Sequence, residues 1–242
     1  MASSFSAADL HIHTTFSDGT ASPAAVLSYV ASATDLRVIA ITDHDTLAGA
    51  WAAQSLAPRY GIEVIVGCEI STKDGHLLAL FIERPVPAGL DLATTVALVR
   101  AQGGMAFAAH PYGALVPSLG RRYLLGPEHN GIDWRLLDGL EVFNASLWNP
   151  ANNRRAAWKA QTLGLAQIGG SDAHNLAMVG AGRTLFPGKS AADLRQALEQ
   201  RTTVVTGVYW GWRGVTGVVS ERIQQWLHPR KTNPVEISSS MR

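Results

Sequence analysis

The chain has 242 residues, 47% hydrophobic and 16% charged, with 20 Lys and Arg against 19 Asp and Glu and no basic block. A charged fraction below the roughly 25% of average soluble proteins excludes disorder, and an even balance argues against stable nucleic-acid binding. The lone Cys68 excludes an internal disulfide, no apolar run reaches the ~20 residues that span a bilayer, and residues 1–8 lack the basic and apolar regions of a signal peptide, so one soluble cytoplasmic domain is expected over residues 1–227, with a polar tail over 228–242.

Residues 9–14 read as a strand and 23–33 as a helix, with Ser22 as N-cap and Pro23 at the first helical position. Residues 37–42 form a buried strand, and 47–60 a helix frayed by Pro58. Strand 62–68 is followed after a short turn by strand 76–82. Helix 92–102 closes on Gly103 and Gly104, before strand 105–109. A loop without periodicity, 112–133, lies over one face. Strand 140–143, helix 153–163, strand 166–168, strand 184–186, helix 190–200 and strand 203–206 complete the series. The alternation predicts an α/β fold of parallel βα units, at a length that suits a barrel of seven or eight strands.

Of eight histidines, six (His11, His13, His44, His76, His110 and His174) sit at or beside predicted strand ends. Asp18, Glu69 and Asp172 are placed likewise. His11 and His13 are two apart, as are Asp172 and His174, and residues two apart on a strand share a side. In a barrel the C-terminal strand ends converge on one face. Nine such side chains gathered there would form a crowded, self-repelling cluster unless cations lay between them. Imidazole and carboxylate ligands without thiolate suit Zn, Mn or Fe. Six neutral imidazoles and three carboxylates around three divalent ions leave a net positive site, suited to a phosphate dianion. A hydroxide between two ions about 3.5–4 Å apart would be the nucleophile.

The motifs D-L-H-I-H-T-x-x-S-D-G, I-T-D-H-D, C-E-I-S, H-L-L-A-L, A-A-H-P and S-D-A-H occur in this order. From about residue 9 to residue 186 the chain resembles the polymerase and histidinol phosphatase (PHP) superfamily. The resemblance implies a distorted (β/α)7 barrel with two to three divalent ions, a trinuclear centre at full occupancy. It implies hydrolysis of a small phosphate ester, such as a nucleotide or a sugar or amino-alcohol phosphate. Carried over by motif, one ion would be held by His11, His13, Glu69 and Asp172. Glu69 would bridge to a second, with His76 and His110; a third would take Asp18, His44 and His174. The short stretch 83–104 leaves no room for the large helical insertion of nucleotide-processing members, which implies an open site.

Two other readings compete. An amidohydrolase-type barrel acting on C–N or C–O bonds also begins with H-x-H, but it commonly carries a bridging Lys and a lone late Asp, where this chain has Glu69 and Asp172-Ala173-His174. A non-catalytic metal-bound module tends to lose ligands, and here all nine are present.

Around the ligands, Asp9 and Asp43 are the candidate catalytic supports. Asp9, two before His11, could accept an imidazole N–H. Asp45 could do the same or cap the helix that begins near Leu47. Asn144 could bind substrate or satisfy backbone. Arg121 and Arg122 are the candidates for phosphate contacts, whereas Lys73, Arg154, Arg155 and Arg183 read as surface charge. Trp148, Trp158, Trp210 and Trp212 could stack on a base or belong to the core. Cys68 reads as core packing.

Overall fold

The computed structural model describes residues 5–121, 131–147 and 149–210. Arg122, Trp148, Trp212 and the expected tail over 228–242 lie outside the described residues.

The elements run β1 (Phe5–Asp9), α1 (Pro23–Ala33), β2 (Leu36–Ile41), α2 (Ala48–Leu56), β3 (Glu63–Ser71), β4 (His76–Leu80), α3 (Leu92–Arg100) and β5 (Met105–Ala108). They continue with β6 (Gly139–Asn144), α4 (Pro150–Leu163), β7 (Ala166–Gly170), β8 (Gly182–Pro187), α5 (Ala191–Gln200) and β9 (Val204–Gly207). Local chemistry sets the helix starts. The Ser22 side chain accepts from Ala25 N–H ahead of Pro23, and Ser190 and Asp193 form a reciprocal capping box before α5.

The strands form one mixed sheet in the order β7-β6-β5-β4-β3-β2-β1-β8-β9, curled into a nearly closed barrel. The all-parallel expectation holds for β1-β2-β3 and for β5-β6-β7. It fails for β4, which is antiparallel to both neighbours. The cause is the connection: Thr72–Gly75 is four residues long, and a parallel partner needs a crossover of a dozen or more. Gly75, at φ 137°, makes the tight turn. β8 is antiparallel to β1 and bonds β7 through the Thr184 hydroxyl, which lies 2.9 Å from Gly169 N and 3.0 Å from its carbonyl oxygen. A side chain at Gly182 would collide with the Gly170 backbone, so glycine permits this approach.

β1 ends at Asp9, earlier than expected. The segment that follows closes the barrel at one rim. His13 N–H donates to Ala173 O (2.9 Å), Ala173 N–H to His11 O (3.2 Å) and Thr42 N–H to Ile12 O (2.9 Å).

The apolar residues divide by the period-2 rule. Ala8, Val38, Ala40, Ile65, Leu78, Leu80, Phe107, Ile168 and Phe186 form one buried cluster inside the barrel. Leu194, Ala197 and Leu198 of α5 join it and plug the end opposite the closing rim. The alternate residues, such as Ile39, Ile41, Leu77, Ala79, Leu140 and Val142, pack outward with α1 to α4. No described helix is long and apolar enough to cross a membrane.

Candidate metal centre

The period-2 alternation that fills the barrel also delivers its polar rim. Glu69 follows Ile65 and Gly67 in the inward register of β3. His76 precedes Leu78 and Leu80 in that of β4. Because β4 runs backwards, its first residue reaches the rim that the other strands reach with their last. His110 follows β5, and Asp172 and His174 follow β7.

Four atoms form the tightest group. His11 Nε2 lies 3.1 Å from His13 Nε2, 3.1 Å from Glu69 Oε2 and 3.5 Å from Asp172 Oδ1. His13 Nε2 lies 3.2 Å from Glu69 Oε2 and 3.3 Å from Asp172 Oδ1. Ligands about 2.0–2.1 Å from a tetrahedral ion stand roughly 3.3–3.4 Å apart, so these spacings fit a divalent cation. Two ring nitrogens at 3.1 Å without a cation between them would need one to carry a proton toward the other.

Glu69 faces two ways. Its Oε2 meets His11, His13 and, at 3.4 Å, His44 Nδ1. Its Oε1 lies 2.8 Å from both His76 Nδ1 and His110 Nε2. His44, Glu69 and His76 form a second ligand-competent group, and His13, Asp18, His44 and His174 a third. The structure therefore brings all nine sequence candidates together. The grouping differs from the expected one in detail: His13 joins Asp18, His44 and His174, and His44 takes the place expected for His110 beside Glu69 and His76. His110 instead reaches the same Glu69 oxygen from the far side, its Nδ1 2.9 Å from Ser118 Oγ.

Burial opposes charge throughout this cluster, and mutual attraction reverses its effect. Against burial, Asp172, Glu141 and Glu69 hold the His11 pKa well above its ordinary value. Against the same burial, Asp172 and Glu69 raise that of His13 to about 9, and Glu69 raises that of His110. The imidazoles hold Glu69 and Asp172 well below the carboxylate range, and His174 lowers Asp18. His44 follows burial downward. The pocket thus draws positive charge, which protons or metal ions can supply.

The supporting residues depart from expectation. Among the described residues Asp9 bonds no imidazole: its Oδ1 accepts from His11 N–H and Ser171 N–H, its Oδ2 from Gly180 N–H. Burial pushes its pKa up to about 6 despite these bonds. Asp43 accepts from Thr14 N–H, the Thr14 hydroxyl and the Ser17 hydroxyl, and so fixes the loop that carries Asp18. Asp45 does not cap α2; it accepts from Ser71 N–H, while Thr46 accepts from Ala48 N–H. Asn144 is fully buried and faces Glu141 Oε2 (2.9 Å) and Asp172 Oδ2 (3.3 Å), a positioning contact.

The role expected of Asp9 falls to Glu141, which sequence reasoning missed. Glu141 Oε1 lies 3.0 Å from His11 Nδ1, and its Oε2 accepts from His110 N–H at 2.6 Å. A carboxylate accepts here, so Nδ1 carries a proton and Nε2 is the nitrogen left to face the cage, where a metal ion could take the place of its proton. The signal was present: Glu141 alternates with the outward-packed Leu140 and Val142, which turns it into the barrel, where a carboxylate needs partners.

Two cavities flank the cage. One of about 420 Å3 includes Asp172 and His174 in its lining. The other, about 330 Å3, takes in Ser118, Lys73 and Arg121, so Arg121 stands apart from the cavity at Asp172. Arg183 binds Gly180 O and Asp35, a structural role. Trp158 is exposed, and Trp210 donates from Nε1 to Ser171 O beside His174. Cys68 is buried, as expected, and burial raises its pKa far beyond the thiolate range.

The chain is 38% identical over 149 residues to an uncharacterized protein of Methanocaldococcus jannaschii, a match that covers 57% of this chain and 81% of that one. It is 41% identical over 86 residues to a phosphoribosyl 1,2-cyclic phosphate 1,2-diphosphodiesterase of Eggerthella lenta, across 33% of this chain and about a third (32%) of that enzyme. Among solved structures, a two-domain protein of Bacteroides vulgatus containing a predicted PHP-like metal-dependent phosphoesterase superposes with a TM-score of 0.68 at 22% identity, over 85% of this chain and 66% of that one. The PHP domain model matches residues 9–146 and the PHP-associated model residues 150–203. The first match spans more than half of the chain, and between them the two take in all nine rim residues: the chain belongs to the PHP superfamily, in which metal-dependent phosphoesterases are found.

Proposed function

We propose that the protein hydrolyses a small phosphate ester at a centre of two to three divalent ions (Zn, Mn or Fe) held by the nine rim residues. The observation that carries this reading is the spacing of the His11, His13, Glu69 and Asp172 ligand atoms, 3.1–3.5 Å in the measured pairs, which are the edges of a metal-sized tetrahedron. The two oxygens of Glu69 suit it to bridge to a second ion near His76 and His110. Divalent ions supply Lewis acidity and activate water for attack at phosphorus.

The residues of the chain do the rest. Glu141 keeps the His11 lone pair on the cage side. Asn144 and Ser146 hold Asp172 Oδ2, with the Ser146 hydroxyl at 2.8 Å, which leaves Oδ1 toward the imidazoles. Asp43 anchors the loop that carries Asp18. Arg121 and Lys73, beyond Ser118, offer positive charge for an anionic part of a substrate.

The test is hydrolysis by metal-reconstituted protein across phosphomonoesters, phosphodiesters and cyclic nucleotides, with bound metal counted by elemental analysis. At least one ester class should turn over, and His13→Ala and Asp172→Ala should abolish that turnover and lower the metal count. Unchanged rates in both variants would remove the site.

A further inference from the structure

The two cavities beside the cage have opposite chemistry, and one segment, residues 114–121, contributes to both. The smaller carries Lys73, Arg121 and Asp74. The larger is lined by Leu115, Val116, Leu147 and Trp210, with Ser146, Asn149, Asn152, Asp172 and His174 as its polar members. Among the described residues no lysine or arginine lines it.

We propose that the larger cavity seats the alcohol portion of the ester, and that this portion is uncharged and apolar or aromatic. This rests on the phosphoesterase reading above. Asp172 belongs to both places: its Oδ1 is in the cage and its side chain lines the cavity. A phosphoryl group held at the cage therefore projects its ester oxygen and alcohol toward Leu147 and Trp210.

Three features select the class. Among the described residues a charged group there would find no cation, and a polyol only the Ser146 hydroxyl and the Asn149 and Asn152 amides to replace its water. Trp210 is held by its ring and by its main chain, Nε1 donating to Ser171 O at 2.9 Å and the backbone N–H to Ala145 O at 3.1 Å. A fixed indole offers an apolar face at little entropic cost. Finally, Leu115 is 83% exposed on the rim of the cavity, an apolar side chain that gains burial when the cavity fills.

The test uses the metal-loaded full chain and three esters of primary alcohols, so that leaving-group basicity stays nearly constant: 2-phenylethyl phosphate, glycerol 1-phosphate and glucose 6-phosphate. The phenylethyl ester should be preferred in kcat/KM by about 10- to 100-fold, the scale of burying one aromatic ring. Leu147→Asp should bring that ratio down toward one. Val116→Asp, on a half-exposed loop, repeats the test should Leu147→Asp fail to fold. Calorimetry gives a second readout without turnover: 2-phenylethylphosphonate should bind more tightly than methylphosphonate, and Leu147→Asp should erase the difference.

A preference for the polyol esters, or a ratio that both variants leave untouched, overturns the inference while the phosphoesterase reading stands. So does a preference for esters with a second anionic group that Arg121→Ala removes, because that would seat the alcohol in the smaller cavity. If neither these esters nor the phosphodiesters and cyclic nucleotides of the wider panel are hydrolysed but the phosphonate preference persists, the cavity assignment survives and the phosphoesterase reading fails. If neither hydrolysis nor a phosphonate preference is seen, both fall.

Discussion

The two ends of the barrel are built on opposite terms. At the α5 end Phe107, Phe186, Leu194 and Leu198 are buried in regular strand and helix, with apolar neighbours. At the other end His11, His13, Glu69, His110 and Asp172 are equally buried, but they are charged or titratable and crowd within bonding distance. Left-handed backbone conformations that favour glycine occur at both ends: His110 (φ 30°), Asp172 (φ 54°) and Asp45 (φ 54°) at or beside the rim, and Phe81 (φ 60°) and Arg201 (φ 60°) beside α5. The apolar end gains free energy from burial. The polar end costs it, through desolvation of its carboxylates and imidazoles. The contrast teaches that this fold divides stability from chemistry along the barrel axis, and each end can be broken separately.

The largest effect should come from the rim. Asp172→Ala removes a carboxylate that belongs to the cage, where we propose it holds an ion, and that lines the larger cavity. Turnover should fall by more than the roughly 10- to 100-fold typical of losing a residue that merely supports a metal ligand. Elemental analysis should find fewer ions per chain. Bound metal stabilises the fold in proportion to its affinity, so the melting temperature should differ less between loaded and chelator-treated protein than it does for the parent. An undiminished difference would show that Asp172 holds no ion.

Phe186→Ala strikes the other end. The ring is fully buried between the strands and α5. Its loss should cost about 3–5 kcal/mol of stability by denaturant titration, the usual range for a buried phenylalanine. The folded fraction should still bind the full complement of ions. If metal content fell in step, the two ends would be coupled after all.

Glu141 joins the two regions, since it stands in the apolar wall and touches the cage. Glu141→Gln leaves one acceptor and one donor where His11 Nδ1 and His110 N–H both need acceptors. Metal affinity measured by chelator competition should weaken about 10- to 100-fold, with less change in melting temperature of the metal-free protein than Phe186→Ala causes. Unaltered affinity would make Glu141 a structural residue only.

What the sequence disclosed follows the same division. The strands and their inward faces were legible because apolar alternation is local, and the nine rim residues because imidazoles at strand ends are conspicuous. The direction of β4 was encoded in the four residues before His76, a length that admits only a hairpin. The roles of Asp9, Asp43 and Asn144 were hidden, because their partners (Gly180 and Ser171, Ser17, Asp172) are distant in the chain or sit in loops without periodicity. Glu141 was hidden in another way: flanked by apolar residues, it reads as the middle of an ordinary strand, and only its register turns it toward His11.

The smallest effect tests how α5 is held in place. Ser190 Oγ accepts from Asp193 N–H at 3.1 Å, while Asp193 Oδ2 accepts from the N–H groups of Lys189 and Ser190 at 2.8 and 3.0 Å. Ser190→Ala removes the first of these and the bond that the Ser190 hydroxyl donates to Asp193 Oδ2 at 2.8 Å, and it leaves both N–H bonds to the Asp193 carboxylate in place. The cost should be that of an ordinary N-cap loss, about 1 kcal/mol. Because α5 only plugs the apolar end, metal count and metal affinity should not change. A measurable fall in metal affinity from so small a change, at the far end of the barrel, would mean that the plug sets the rim's geometry and that the two ends act as one.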